Sequence, residues 1–168
     1  MRKLLIGLLV LGFTTQGFAQ ITKTEKLSEV IIVATNYKYL NQVGQDEIAI
    51  PVKLLQRKVA TYDIKTSDFY DDEYDFYSVS FFIPEGKVLA AYDKDGKIIR
   101  TVEKYKDIAL PKSVVNGVVK RFPGWTIAKD AYLVTYHHKK GVDKKYKLTL
   151  ENGDKRMKLK MDAQGNFL

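Results

Sequence analysis

Residues 110–168 read LPKSVVNGVVKRFPGWTIAKDAYLVTYHHKKGVDKKYKLTLENGDKRMKLKMDAQGNFL, and this stretch decides the fold. Pro111 suits the first turn of a helix, where its missing N–H breaks no hydrogen bond. Val114, Val115, Val118, Val119 and Phe122 follow at helical spacing on one side, and Pro123-Gly124 stops the helix. Alternating segments come next, from about Trp125 to His137, Lys145 to Glu151 and Lys155 to Met161, and Asn152-Gly153 has the composition of a tight hairpin turn. Ser113 reads as a capping residue at the helix start. One helix followed by an antiparallel meander is therefore expected here.

An earlier part of the chain repeats the plan. Pro51 opens a helix of about 51–60 with Val52, Leu55 and Val59 as its stripe and Leu54 widening it. Strands are expected at Tyr62 to Thr66, Tyr77 to Ile83, Lys87 to Tyr92 and Lys97 to Val102. Pro84-Glu85-Gly86 and Asp93-Lys94-Asp95-Gly96 mark the turns, and residues 103–109 form a link. Ile50-Pro51 matches Leu110-Pro111 at an offset of 60; Tyr77, Val79, Phe81, Asp93 and Gly96 match Tyr146, Leu148, Leu150, Asp162 and Gly165 at an offset of 69. Helix, strands and turn glycine recur in one order, which points to an internal duplication. The expected fold class is α+β: a tandem repeat of two helix-plus-antiparallel-sheet units, 46–102 and 103–168, preceded by an N-terminal strand segment at 20–45. That strand is Glu29 to Thr35, whose Val30-Ile31-Ile32-Val33 core suggests burial on both faces.

Period-2 alternation assigns the sheet faces. In the second unit Tyr146, Leu148, Leu150, Met157, Leu159 and Met161 face the helix, leaving Lys145, Lys147, Thr149, Arg156, Lys158 and Lys160 on the far side. In the first, Tyr77, Val79, Phe81, Val88, Ala90 and Tyr92 face inward. Ser78, Ser80, Phe82, Leu89 and Ala91 face outward, a surface apolar enough to need either a cover, from the strand at 29–35 or the other unit, or a partner.

Arg2-Lys3, the apolar run Leu4 to Phe13 and the small-x-small site Gly17-Phe18-Ala19 read as a signal peptide over residues 1–19, since a membrane anchor would need about 20 apolar residues. A periplasmic or secreted protein is expected, for which nucleic acid is a poor partner. The chain has no cysteine, which excludes disulfides and thiol chemistry. Its net charge of +8 is unevenly spread: residues 20–99 hold 10 basic and 13 acidic side chains, and residues 100–168 hold 16 basic and 7 acidic. Equivalent loops carry opposite charge. One has Asp68, Asp71, Asp72, Glu73 and Asp75 interleaved with Tyr70 and Tyr74; the other has His137, His138, Lys139, Lys140, Lys144 and Lys145 around Gly141. These loops could pair with each other or form a dipolar recognition rim.

Catalytic signatures are missing. His137 and His138 are the only histidines, and neighbours on a regular strand point to opposite faces, so they cannot share a metal there. The carboxylates of the loop at 68–75 are crowded enough for weak calcium binding, but a solvated loop is the stronger reading. Asp93-Lys94-Asp95-Gly96 has no glutamate at the EF-hand distance. No nucleophile elbow or phosphate-cradling glycine loop occurs. No enzyme activity, cofactor or metal is expected.

The run from Leu110 to Gly141 and the closing YKLTLENGDKRMKLKMDAQGNFL resemble the PepSY-like, beta-lactamase-inhibitor-like family of exported bacterial proteins, and the first unit extends the likeness over most of the mature chain. The resemblance implies a tandem of small α+β units with a concave sheet surface used for protein binding. The chain departs from the inhibitor in having no disulfides. The expected function is a non-enzymatic binding module, inhibitor-like, engaging a protein partner through sheet faces and charged loops. The candidate contacts are Asp71, Asp72, Glu73, Tyr74, Asp75, His137, His138, Lys139, Lys140, Lys145, Lys147, Lys158 and Lys160. The alternative is an envelope protein that holds an anionic polymer or membrane surface on its lysine face.

Overall fold

A computed structural model describes residues 35–44 and 47–168. The signal peptide and residues 29–34 of the expected first strand lie outside the described residues. Among the described residues three helices, α1 (Tyr37–Val43), α2 (Ile50–Thr61) and α3 (Lys112–Arg121), accompany six strands: β1 (Phe76–Ile83), β2 (Gly86–Asp93), β3 (Ile98–Lys106), β4 (Thr126–His137), β5 (Gly141–Asn152) and β6 (Lys155–Asp162). The strands form one antiparallel sheet in the order of the chain, β1 through β6. The fold is α+β, with helices on one sheet face.

The core lies between that face and the helices. α2 buries Val52, Leu55, Val59 and Ala60 against β1 and β2, whereas Leu54 is exposed. α3 buries only Val114 and Val118 of its expected stripe, and Val119 points to solvent. Ser113 does not cap α3: Pro111 holds the N-cap position, and the Ser113 hydroxyl donates to the Ala163 carbonyl at 3.1 Å. That bond seats the helix on the turn after β6, where Gly117 also meets the Gly165 carbonyl closely.

Segment 20–45 departs from expectation where it is described. Residues 37–43 form helix α1, which packs on α2, β4 and β5. Asn36, 2 % exposed, fixes its start: its side-chain N–H groups donate to the Ala60 and Gly96 carbonyls at 3.0 and 3.1 Å, and its oxygen accepts from Ile98 N–H at 2.8 Å. One amide thus joins the end of α2, the β2–β3 turn and the start of β3.

Three boundaries also move. Tyr62 to Thr66 is not a strand; Ile64–Thr66 is a 3-10 turn, and the Asp63 carboxylate accepts from Lys65 N–H. β3 continues to Lys106, absorbing half of the expected link at 103–109. β5 begins at Gly141, so the expected loop of 137–145 shrinks to a turn at 138–140.

Candidate binding face

The sheet face away from the helices is built by strand alternation alone. At the β1–β3 end it carries Phe82, Leu89 and Val102, all exposed, and Leu89 lies directly opposite Val102. Strands β4 to β6 do not cover this patch, because they continue the same sheet beside β1 to β3. The residues at 29–34 offered as the other cover lie outside the described chain.

Toward β6 the face becomes basic. Lys104 and Lys106 alternate outward along β3, opposite Leu133 and Ala131 of β4; Ala131 faces Lys147, which faces Lys160 of β6. Lys129, Thr149 and Lys158 form the next row. A groove of about 760 Å³ runs among them, lined by Lys104, Lys106, Lys129, Lys147, Lys158 and Lys160 together with Ala131, Thr149 and Leu168. Asp130, also at the groove, turns a carboxylate oxygen to Ile108 N–H at 3.3 Å; burial holds its pKa above the ordinary value.

The salt bridges of this face lie beside the groove, Lys145 with Asp143 at 2.7 Å and Arg156 with Glu151 at 2.6 Å. Among the described residues none of the six groove lysines is in an ion pair. Lys87 opposite Lys104, and Lys147 opposite Lys160, set like charges in direct cross-strand pairs. Each such pair costs roughly 0.2–1 kcal/mol relative to a neutral one. Folding alone does not require this arrangement.

The proposed contact residues divide. Lys145, Lys147, Lys158 and Lys160 share the outer face. Asp71, Asp72, Glu73, Tyr74 and Asp75 lie in the loop before β1, and all are exposed. Tyr70 stacks on Tyr77 at 5.4 Å, Tyr74 meets it edge-on at 6.4 Å, and the Tyr77 hydroxyl donates to the Asp71 carbonyl. His137, His138, Lys139 and Lys140 form the β4–β5 turn at the same end of the sheet. β2 and β3 separate the two loops, and no salt bridge joins them among the described residues.

The histidine rings do not point to opposite faces as a regular strand requires. β4 ends at His137, and in the turn the two rings stack at 4.9 Å. His138 is fixed by its N–H donating to the Ile99 carbonyl at 2.9 Å, and the His137 ring accepts from Lys139 N–H at 3.1 Å. Desolvation, then His138, Lys140 and Arg100, lower the pKa of His137. No group of three or more potential metal ligands occurs among the described residues. Lys144 points to the helix side, half-buried, with its pKa lowered by desolvation.

On the opposite, helix-covered face lies a group that residue type did not reveal. Glu103, 1 % exposed, accepts four hydrogen bonds: from the Tyr39 and Thr101 hydroxyls on Oε1, both at 2.9 Å, and from Gln56 Nε2 at 2.9 Å and the Tyr105 hydroxyl at 2.8 Å on Oε2. Burial pushes its pKa up, against the pull of those donors. Sealed in this way it joins α1, α2 and β3 and meets no substrate. Lys104, Lys106 and Lys129 were also missed as members of the basic face. The signal for Lys104 and Lys106 was the period-2 run Val102, Lys104, Lys106, hidden by assigning 103–109 to a link.

No protein-family model matches this chain, and no curated protein matches it. Among solved structures, a BLIP-like protein from Bacteroides fragilis is similar at 15% identity and TM-score 0.32, over 56% of this chain and 66% of that one. This chain thus spans just under two thirds of that protein's length. A DUF2874 family protein from Bacteroides ovatus is similar at 15% identity and TM-score 0.35, over 74% of this chain and 86% of that one.

Proposed function

We propose that this chain is an exported, non-enzymatic binding module that docks an acidic partner protein on its outer sheet face, in the periplasm or outside the cell. The observation that carries this reading is the face itself: an apolar patch at Phe82, Leu89 and Val102 runs, strand by strand, into a groove of six lysines that form no ion pair among the described residues. Apolar side chains supply buried area, and the lysines steer the encounter and reject basic competitors. The acidic loop and the His137–Lys140 turn border one end of the sheet and serve as rim contacts.

Two PepSY-like units in tandem belong to the same reading, and the two closing turns support it. Asp93 Oδ1 accepts from Asp95 and Lys97 N–H at 3.0 and 2.9 Å; Asp162 Oδ1 accepts from Gln164 and Asn166 N–H at 2.9 and 2.8 Å. Gly96 and Gly165 both take positive φ, 79° and 87°. Under this reading the first unit replaced its leading strand with the 3-10 turn and acidic loop.

The lysine groove favours a second reading, an anionic polymer held by charge alone. The test is capture from a cell-envelope extract at low and high salt, using the wild type, Phe82→Asp/Val102→Asp and Lys147→Glu/Lys158→Glu. A protein retained at high salt by the wild type and lost by both variants supports the first reading. Retention that vanishes with salt and ignores Phe82→Asp/Val102→Asp supports the second. Capture unaffected by either variant overturns both.

A further inference from the structure

Among the described residues β1 is an edge strand without the usual protection. Among the described residues it pairs with β2 alone, through eight consecutive positions with no bulge. Its sequence, FYSVSFFI, has no charge and no proline. The other edge, β6, reads KRMKLKMD and carries the lysines and arginine that ordinarily keep two sheet edges apart. A second copy approaching along β6 would meet like charge along the whole strand; along β1 it would meet none.

The strand is also nearly its own reverse. Read from Phe76 to Phe82, it runs aromatic, aromatic, Ser, Val, Ser, aromatic, aromatic. Two copies paired antiparallel about Val79 would set Phe76 against Phe82, Tyr77 against Phe81 and Ser78 against Ser80, each pair on one face. An isologous two-fold interface requires this self-complementarity, and aromatic pairs are among the favourable cross-strand pairs. Exposure agrees: Phe76 and Phe82 are 66% and 67% exposed, and inward-facing Val79 is only half-buried, with no strand adjoining it on one side among the described residues.

Charge agrees as well. The two-fold brings the start of β1, with its acidic loop at 71–75, to the β1–β2 turn of the other copy. That turn itself carries Glu85, and beside it Lys87 and Lys104 stand in one cross-strand row with Phe82. The loop that meets no basic loop within one chain would meet lysines across the two-fold.

We propose that β1 is the edge through which two copies of this chain join, making one continuous sheet of twelve strands with both outer faces on the same side. The inference goes beyond the binding reading above and stands without it.

Sedimentation equilibrium of the purified protein tests it. The wild type is expected to show twice the monomer mass at micromolar concentration. Ser78→Lys/Ser80→Lys, both exposed and clear of the core, is expected to be monomeric with an unchanged far-UV spectrum and melting temperature. Ser78→Glu/Ser80→Lys places opposite charges face to face in this register alone, and is expected to restore the dimer. Three results would overturn the proposal: a wild type that stays monomeric; a dimer indifferent to the two lysines; or a Glu/Lys variant as monomeric as the Lys/Lys one.

Discussion

Two buried polar side chains, Asn36 and Glu103, do what apolar contacts cannot: they fix which helix end meets which strand. Asn36 satisfies three backbone groups from three elements. Its replacement by Ala leaves those groups buried and unpaired, so a loss of about 1–3 kcal/mol is expected in urea unfolding. Glu103 predicts a pH effect. Its folded pKa lies above the ordinary glutamate value of 4.5, so the folded state binds the proton more tightly than the unfolded chain. Its contribution is therefore fully present below pH 4.5 and is lost as pH rises through the folded pKa. Wild-type stability measured against Glu103→Gln should fall over that interval; a constant difference would mean that the carboxylate keeps its ordinary pKa. Neither residue was legible in the sequence: β3 inverts the usual pattern, with Thr101 and Glu103 turned inward and Val102 out, and the partners of Asn36 lie far along the chain at Ala60, Gly96 and Ile98.

Among the elements, those with local punctuation were legible and those held by distant contacts were not. Pro51 and Pro111 located α2 and α3, and the turns at 84–86, 93–96 and 152–153 located the hairpins. α1 has seven residues and no marked stripe; it exists because Tyr39 and Val43 fill the core over β4 and β5. The strand expected at 62–66 gave way to a turn in which Asp63 and Ser67 bond their own backbone neighbours. The closing turns allow a paired prediction. At Gly96 and Gly165 an alanine must adopt positive φ, costing roughly 1–2 kcal/mol. At Gly165 its Cβ would also strike the Ser113 carbonyl, whereas at Gly96 the nearest atom is 3.9 Å away. Thermal melts should therefore show a clearly larger drop for Gly165→Ala than for Gly96→Ala; equal drops would mean that α3 is not seated on the second turn.

For the whole molecule, the lysine face was legible because period-2 alternation separates Lys147 and Lys158 from Leu148 and Leu159 without knowledge of the fold. Its extent was not, because the meeting of β3 and β4 in one sheet joins the apolar patch to the lysine groove, and both strands lie far apart in sequence from parts of that surface. Of the candidate site, the four strand lysines fall together, while the acidic and histidine loops only border the same end. Lysine acetylation footprinting in a cell-envelope extract tests the outer-face assignment most directly. The account predicts that Lys104, Lys147, Lys158 and Lys160 become protected while Lys58 and Lys120, on the helix side, react as in the isolated protein. Protection of Lys58 and Lys120, with the sheet lysines unchanged, would contradict it.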